Sequence, residues 1–374
     1  MTQSRPKRIL LMYISQVSGH RQSAVAIAKS LKTLAPGCEI MSINGFGYTY
    51  PLMEKIVNTA YLGVIKRVPK IWEYLYDNPK IIKASEQFKQ KIHKSSHKKL
   101  QPLMDKFKPD IVICTQAFPC GMVADYKMEH QLPCKVVGVL TDFAPHLYWL
   151  HPGVDYYVVP SEEAKERYVK EGVDPGQIKV FGIPIRDKFA AKLDRAALAK
   201  KLGLSPDVPT VLIMGGGQGL GPMKDAVKAL MGLSRPLQMI VIAGTNVKLA
   251  HWLKRMQCRT DKKIVFYDYA VNVDELMEVS SLIISKPGGM TTSECLAKGL
   301  PMVIVDPIPG QEERNSRFLV KNGIAVRIDD KPQIGPKIDE LLDNSSQLRA
   351  MREAAFKHGK PKAAEHIARF VLSI

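Results

Sequence analysis

The stretch from Ser285 to Glu294 combines residue types that could hold a diphosphate joined to a sugar. It reads Ser-Lys-Pro-Gly-Gly-Met-Thr-Thr-Ser-Glu, and it lies between the apolar run Ser281–Ile284 and a helical pattern. Glycines at a strand-to-helix turn let backbone N–H groups approach an anion, and the helix dipole favours negative charge there. Glu294 can instead accept hydrogen bonds from sugar hydroxyls. The pattern predicts a nucleotide-sugar site, although it also fits an ordinary turn with Thr291 or Thr292 as the helix cap.

A second polar loop, Pro307–Asn315, follows the next apolar strand, Pro301–Val305. In an open α/β sheet, the loops at the carboxyl ends of neighbouring strands line one crevice. We therefore expect Gln311 and Glu312 to lie near the same ligand as Glu294.

A histidine could supply the chemistry. His20 follows Gly19 on the first strand-to-helix turn, and an imidazole with a pKa near ~6.5 suits a general base at neutral pH. A histidine at such a turn can also be only an exposed or capping residue. Asp142 follows another apolar strand, and it could orient His20 or contact acceptor hydroxyls; both roles remain open. The histidines at 146 and 151 are weaker candidates.

A glycine-rich loop, Gly215–Gly221, opens a second series of strands and helices, with Gly216 and Gly217 at its start. Such a loop lets a pyrophosphate approach closely. It departs from Gly-x-Gly-x-x-Gly, and no acid follows at the spacing that holds the ribose of a nicotinamide cofactor. The Walker A pattern is absent, as is metal-ligand spacing of Asp, Glu or His. The sequence therefore favours a nucleotide-sugar substrate with no cofactor and no metal.

The composition bounds the class of protein. The chain has 374 residues, 45% of them apolar, and a net charge of +18. This length suits two domains with real cores. There is no signal-peptide pattern and no apolar run long enough to span a bilayer. Six cysteines without paired spacing suit a reducing cytoplasm. We expect a peripheral protein on the cytoplasmic face of the membrane.

Strand and helix signals alternate along the chain in two series that join near residue 200. The pattern predicts an α/β fold with two Rossmann-like domains facing a central cleft. The expected domains are 1–200, for the acceptor and membrane, and 201–374, for the donor, and the last helix could pack back on the first domain. The predicted strands are Arg8–Ile14, Glu39–Ile43, Asp110–Cys114, Lys135–Leu140, Asp155–Val159, Ile178–Phe181, Thr210–Met214, Gln238–Ala243, Lys263–Phe266, Leu282–Ser285, Met302–Val305 and Ala325–Ile328.

Residues 45–108 interrupt the first series with aromatic and basic residues. Within them, 66–108 hold 12 Lys/Arg against 4 Asp/Glu. Apolar, aromatic and basic residues together are typical of a helix resting on an anionic membrane surface. The alternatives are an ordinary amphipathic helix packed on the sheet, a solvated face, or nucleic acid, which no recognised fold signature supports. The residues expected to meet the acceptor or membrane are Gly19, Tyr61, Lys66, Arg67, Lys70, Trp72 and Trp149.

Several motifs together carry a family resemblance. They are Ser18-Gly19-His20 with Ala24, Thr141-Asp142-Phe143, Gly182-Ile183-Pro184-Ile185-Arg186, Gly215-Gly216-Gly217, Ser285-Lys286-Pro287-Gly288-Gly289 with Thr291 and Glu294, and Pro309-Gly310-Gln311-Glu312. With them the chain resembles the monogalactosyldiacylglycerol synthase and processive diacylglycerol glucosyltransferase group of inverting GT-B glycosyltransferases. More distantly it is similar to the lipid-linked N-acetylglucosaminyl transferase of peptidoglycan synthesis.

The resemblance implies a UDP-sugar, UDP-glucose or UDP-galactose, as donor and diacylglycerol as acceptor. His20 would deprotonate the glycerol hydroxyl, Glu294 would bind the ribose, and Gln311 and Glu312 would read the sugar. The diphosphate would lie on Gly288, Gly289, Thr291 and Thr292, beside Lys286, Gly216 and Gly217, and uracil would meet the backbone near Val271. The expected product is a β-linked glycolipid, made without a metal.

The first turn has fewer glycines than many relatives carry, which affects the expected shape of the acceptor entrance. Three rival functions remain at this point. They are transfer to a lipid-linked peptidoglycan precursor, UDP-sugar epimerisation, and non-catalytic binding of a UDP-sugar at a membrane.

Overall fold

The protein is represented by a computed structural model that describes residues 5–15, 18–51, 95–144, 146–308 and 310–374. These residues form two compact units. Unit 1 runs to Asp187 and also includes Lys362–Ile374, whereas unit 2 is Lys188–Pro361.

Unit 1 is a parallel six-stranded sheet with helices on both faces. Its strands are β1 (Arg8–Tyr13), β2 (Glu39–Asn44), β3 (Ile111–Cys114), β4 (Lys135–Val139), β5 (Tyr156–Val158) and β6 (Ile178–Lys179). Its helices are α1 (Gly19–Leu34), α2 (Gly45–Thr49), α3 (residues 95–107), α4 (Ala117–Glu129) and α5 (Glu162–Lys170). The strand order is β2-β1-β3-β4-β5-β6, so the direction of the order reverses between β1 and β3. Ligands of open α/β sheets bind at the carboxyl ends of strands beside such a reversal.

The apolar strands of unit 1 are buried on both faces, which explains why they read as continuous apolar runs. Along β1, Ile9 and Leu11 face the core that includes α1, whereas Leu10 and Met12 face the core that includes α3 and α4. α1 begins where Ser18 Oγ accepts a hydrogen bond from the Arg21 N–H, so the turn after β1 is fixed by an N-cap.

Unit 2 repeats this architecture with a second parallel sheet. Its strands are β7 (Thr210–Met214), β8 (Gln238–Ile242), β9 (Ile264–Tyr267), β10 (Leu282–Ser285), β11 (Met302–Val305) and β12 (Ala325–Ile328). Its helices are α6 (Arg195–Lys201), α7 (Met223–Met231), α8 (Val247–Met256), α9 (Val273–Val279), α10 (Gly289–Lys298), α11 (Gln311–Lys321), α12 (Ile334–Asp343) and α13 (Ser345–His358). The order β12-β11-β10-β7-β8-β9 is the Rossmann order, and it reverses between β7 and β10.

The last helix, α14 (Ala363–Ser373), belongs to unit 1 and packs on α1. Ile367 and Val371 of α14 are fully buried in the core that they share with α1 and β1. Phe370 meets the ring of Tyr156 edge to face, with ring centroids 5.0 Å apart. This helix therefore completes one face of the first sheet.

The change from unit 1 to unit 2 lies at Asp187, whereas the sequence placed the domain boundary after residue 200. That position falls inside α6, whose Lys201 forms an ion pair with Glu275 of α9, with Nζ and Oε2 3.1 Å apart. α6 and the turn before it therefore belong to the second unit. Over the described ranges, every helix falls short of the length and apolarity that crossing a bilayer requires.

Candidate functional site

The imidazole of His20 is held at the reversal of strand order in unit 1. Its Nδ1 lies 2.9 Å from the carbonyl oxygen of Thr115, directly after β3, and 2.9 Å from Thr141 Oγ1, after β4. Thr115 Oγ1 also donates to the backbone carbonyl of His20 at 2.9 Å. Because a carbonyl oxygen can only accept, the contact with Thr115 places the ring proton on Nδ1. The lone pair is then on Nε2, which is the form a general base needs.

Burial of His20 lowers the pKa of its imidazole below the ordinary value of 6.5. The negative charge of Asp142 and the hydrogen bond to Thr115 oppose this shift without cancelling it. His20 is therefore neutral at pH 7. The sequence left open whether Asp142 orients His20 or contacts acceptor hydroxyls. In the structure, Thr115 and Thr141 contact the ring directly, and the charge of Asp142 acts on its pKa. Thr115 was missed, and its position right after an apolar strand was the available signal.

The loop after β10 leads into a helix whose N-terminus has no side-chain cap. The N-cap residue of α10 is Gly288, and the first intrahelical bond runs from the Thr292 N–H to its carbonyl oxygen at 2.9 Å. An N-terminal turn without a side-chain cap leaves backbone donors for an anion. The expectation that Thr291 or Thr292 caps the helix is therefore wrong.

Thr292 also differs from its expected role at the diphosphate. Its side chain is fully buried, its Oγ1 has no hydrogen-bond partner, and its N–H is already used within the helix. The periodicity of α10 turns this residue into the core beside the fully buried Cys295 and Leu296. Thr291 and Gly289 are buried as well, whereas Gly288 and Glu294 are half-buried.

A buried ion pair joins the loop after β10 to the loop after β11. Lys286 Nζ lies 3.1 and 3.3 Å from the two carboxylate oxygens of Glu312, and the side chains are 9% and 17% exposed. Glu312 Oε2 also accepts a hydrogen bond from the Ile308 N–H at 2.8 Å. Three contacts therefore fix this carboxylate, although Lys286 and Glu312 are 26 residues apart.

The same loops are joined a second time by Asn315, which the sequence analysis did not select. Its fully buried side chain donates from Nδ2 to the carbonyl oxygen of Pro287 at 2.9 Å. Gln311 is the first residue of α11 and is half-buried, directly after Gly310, whose φ of 87° favours glycine. The prediction that the two loops lie together at the carboxyl ends of β10 and β11 is confirmed by these contacts.

The glycine-rich loop lies on the other side of the strand-order reversal. A Cβ at Gly221 would meet the Lys286 side chain at 3.3 Å, so the loop after β7 touches the loop after β10. At Gly219, a Cβ would come within 1.8 Å of the Ala243 carbonyl oxygen, which explains why glycine is required there. Gly216 and Gly217 have nothing within 4 Å of a built Cβ, so the space beside their Cα atoms is open.

The segment expected to meet uracil lies between β9 and α9. Val271 is 73% exposed, and its carbonyl oxygen accepts a hydrogen bond from Lys188 Nζ at 2.6 Å. Lys188 Nζ also pairs with the carboxylate of Asp274. Lys188 was not selected from the sequence, because 83 residues separate it from Val271.

The residues expected at the acceptor or membrane divide into three groups. Gly19 is exposed, in the first turn of α1. Trp149 is only 7% exposed, because the 3-10 turn Leu147–Trp149 packs the indole into the core against Gly138, which leaves little of it for a membrane surface. The other five lie outside the described residues: Tyr61, Lys66, Arg67, Lys70 and Trp72.

Family models match both parts of the chain. Residues 20–185 match the model for monogalactosyldiacylglycerol (MGDG) synthase, and residues 210–367 match the glycosyltransferase family 28 C-terminal domain. The chain is 32% identical over 375 residues to a processive diacylglycerol beta-glucosyltransferase from Bacillus mycoides, covering 98% of this chain and 93% of that protein. It is 30% identical to a protein with the same description from Bacillus pumilus, covering 93% and 90%.

Solved structures share the fold at lower identity. MurG from Acinetobacter baumannii has a TM-score of 0.68 and 17% identity, covering 99% of this chain and 100% of that one. MnaA from S. aureus, solved with UDP, has a TM-score of 0.65 and 16% identity, covering 98% of each chain. This chain has two parallel sheets of Rossmann type. Together with the likeness to these structures, the sheets confirm the α/β GT-B fold predicted from the sequence.

Proposed function

Because the chain belongs to the family of monogalactosyldiacylglycerol synthases and processive diacylglycerol glucosyltransferases, we propose that it transfers a hexose from a UDP-sugar to diacylglycerol. The donor is UDP-glucose or UDP-galactose, and the product is a β-glycosyl diacylglycerol. The observation that carries an enzymatic function is the state of His20, whose Nδ1 is held by Thr115 so that Nε2 can take a proton.

Unit 2 holds the donor in this proposal. The uncapped N-terminus of α10 and the open space beside Gly216 and Gly217 lie on either side of the strand-order reversal, where open α/β sheets bind ligands. The diphosphate takes the N–H groups of these turns, Glu294 takes the ribose hydroxyls, and Gln311 and Glu312 take the sugar. The backbone near Val271, itself an exposed residue, takes uracil.

Unit 1 supplies the base. Nε2 of His20 removes the proton from the free hydroxyl of diacylglycerol, and the oxygen forms a bond to the anomeric carbon. The bond from that carbon to the UDP oxygen breaks, and UDP leaves with the electron pair. Attack on the face opposite UDP inverts the anomeric configuration and gives the β product.

Backbone amides and the dipole of α10 take the developing charge on UDP, so the reaction proceeds without a metal. Within the part of the chain that the structure describes, the donor loops bring together no group of three His, Cys, Asp or Glu close enough to share an ion. The ammonium of Lys286 lies beside the same loops, with its charge balanced by Glu312.

The test is a transfer assay with purified protein and radiolabelled donors. Diacylglycerol in liposomes is offered with UDP-glucose, UDP-galactose or UDP-N-acetylglucosamine, and the lipid products are resolved by chromatography and digested with α- and β-glycosidases. We expect a β-linked product with one of the two hexoses. Transfer only to a lipid-linked peptidoglycan precursor, epimerisation of the free UDP-sugar, or UDP-sugar binding without product would each contradict the proposal.

A further inference from the structure

Three potential metal ligands meet on unit 1 at a place that the proposed reaction does not use. One nitrogen from each of His97 and His130 and one carboxylate oxygen of Glu129 all lie within 4.8 Å of one another. His97 is on α3, Glu129 is the last residue of α4, and His130 follows it. Sequence spacing does not reveal this group, because 32 residues separate His97 from Glu129 and packing of the two helices brings them together.

His97 carries the argument because its imidazole is buried and its ring nitrogens lack aligned hydrogen bonds. The residue is 7% exposed, and neither ring nitrogen makes an aligned hydrogen bond. Its Nδ1 contacts Glu129 Oε2 at 2.7 Å, whereas Nε2 has no partner. Native structures rarely retain a buried polar atom without a partner. An ion shared with Glu129 would give the imidazole that further partner.

His130 is oriented in the manner of a metal ligand. Its Nδ1 lies 3.0 Å from the backbone carbonyl oxygen of Tyr126, which fixes the ring proton on Nδ1 and leaves the Nε2 lone pair outward. Metal-binding histidines commonly donate their second ring N–H to such a carbonyl. Stacking on the Tyr126 ring, with centroids 4.1 Å apart, holds the imidazole plane as well.

We propose that His97, Glu129 and His130 bind a divalent transition-metal ion, with Zn²⁺ as the best match. Two imidazoles and one carboxylate are donors that zinc binds readily, and water can fill the fourth position because Glu129 and His130 are exposed. Ligand atoms around a tetrahedral zinc lie roughly 3.3 Å apart, and the three candidate atoms all lie within 4.8 Å of one another. The ion cross-links α3 to the end of α4.

This ion has a structural role, separate from sugar transfer. α3 lies within residues 66–108, the stretch that holds 12 Lys/Arg against 4 Asp/Glu. Fixing α3 on α4 therefore anchors the described part of that stretch to unit 1.

The experiment measures Zn²⁺ binding directly on the full chain stripped with a chelator. Calorimetry should give one equivalent of saturable binding, and Co²⁺ should give the d–d absorption of a site with nitrogen and oxygen ligands. In His130→Ala, and less strongly in Glu129→Gln, the affinity should fall on the order of 10–100-fold. Both residues are exposed, so these variants should fold, which circular dichroism verifies.

The matched control is His251→Ala, which removes an exposed histidine of α8 in unit 2 and should leave Zn²⁺ binding unchanged. Zn²⁺ should also raise the melting temperature of the wild type and of His251→Ala but not of His130→Ala, because an ion that binds only the native state stabilises it. Absence of one saturable equivalent in the wild type, or equal affinity in His130→Ala, would overturn the proposal.

Discussion

Two amide side chains can mimic the two halves of the His20 imidazole. In His20→Asn the amide nitrogen replaces Nδ1 and keeps the bond to Thr115, but nothing replaces Nε2. In His20→Gln the amide reaches the Nε2 position without a basic lone pair. We expect both variants, like His20→Ala, to lose about 10²–10⁴ in transfer rate, because all three lack the base.

Binding of UDP by unit 2 should survive in these variants, and calorimetry with UDP is the control. Near-normal turnover in His20→Asn would remove Nε2 from the mechanism. Loss of UDP binding would show instead that the substitution disturbs more than the base.

The pKa of His20 sets the acid side of the pH profile. Because burial lowers this pKa, kcat/KM should reach half of its plateau below pH 6.5 as acid protonates Nε2. Asp142→Asn removes a charge that raises the pKa, so its half-activity point should move to still lower pH. A profile of kcat/KM between pH 4.5 and 8 measures both, and a shift to higher pH in Asp142→Asn would refute the electrostatic role.

The lowered pKa of His20 also makes folding stability decrease as the pH falls. Since the native state holds His20 at a lowered pKa, the unfolded chain takes up the proton first as pH falls. The contribution of His20 is complete above pH 6.5 and diminishes as pH falls toward the native pKa.

The donor carboxylates have separable roles. Glu294→Ala should weaken UDP and UDP-sugar alike, by roughly 10–100-fold, because hydrogen bonds to a charged acceptor contribute about 1.5–3 kcal/mol. Glu312→Gln should weaken chiefly the UDP-sugar or turnover. Glutamine is the informative change, since alanine would leave the Lys286 ammonium buried without its partner and destabilise unit 2. Equal calorimetric losses for UDP in both variants would contradict this division.

At the scale of elements, the N-terminus of α10 replaces a metal in the proposed reaction. Transfer should therefore persist in excess EDTA. The assay is run in parallel on His130→Ala, because the chelator also strips the cluster on unit 1. If EDTA abolishes activity in both proteins and Mg²⁺ restores it, the leaving diphosphate needs a cation. If EDTA lowers the activity of the wild type alone, the effect comes from the ion bound by His97, Glu129 and His130.

Each of the twelve predicted strands corresponds to a strand of the structure, and four have the predicted bounds: Thr210–Met214, Leu282–Ser285, Met302–Val305 and Ala325–Ile328. They were predictable because a parallel strand covered by helices on both faces must be apolar throughout. Polar residues at strand ends then indicated the loops that carry His20 and Glu312.

Contacts between distant parts of the chain could not be predicted in this way. The bond from His20 to Thr115 spans 95 residues, and the one from Asn315 to Pro287 spans 28. Both depend on which strands become neighbours, and local patterns do not encode that order. The burial of Trp149 was not predictable for a related reason. A loop sequence does not show whether an aromatic side chain faces solvent or packs beside Gly138.

At the scale of the whole molecule, residues 66–108, expected to dock on the membrane, hold 12 Lys/Arg against 4 Asp/Glu in a chain whose net charge is +18. Replacing Lys66, Arg67 and Lys70 with Glu should cut sedimentation with anionic liposomes, because each basic residue near such a surface contributes about 1 kcal/mol. Binding of the wild type should weaken as salt rises, because ions screen the attraction beyond a Debye length of about 8 Å at physiological ionic strength.

A charge-matched control separates docking from net charge. Lys228, Lys248 and Arg255 are exposed on α7 and α8 of unit 2, and changing them to Glu alters the net charge equally. This control should retain most liposome binding. Equal losses in the two triple variants would show that only the net charge of the protein matters. Equal binding of the wild type to neutral and anionic liposomes at low salt would show that charge does not drive docking.

The position of α14 has a consequence for how the protein is made. On the ribosome, residues up to Asp187 emerge long before Ile367 and Val371, which fill the face of the first sheet beside α1. Until translation reaches α14, the nascent chain carries an uncovered apolar strip on α1. Unit 2 is synthesised within that interval, so unit 1 is begun first and completed last. The apolar strip on α1 is therefore available to chaperones for as long as unit 2 is being translated.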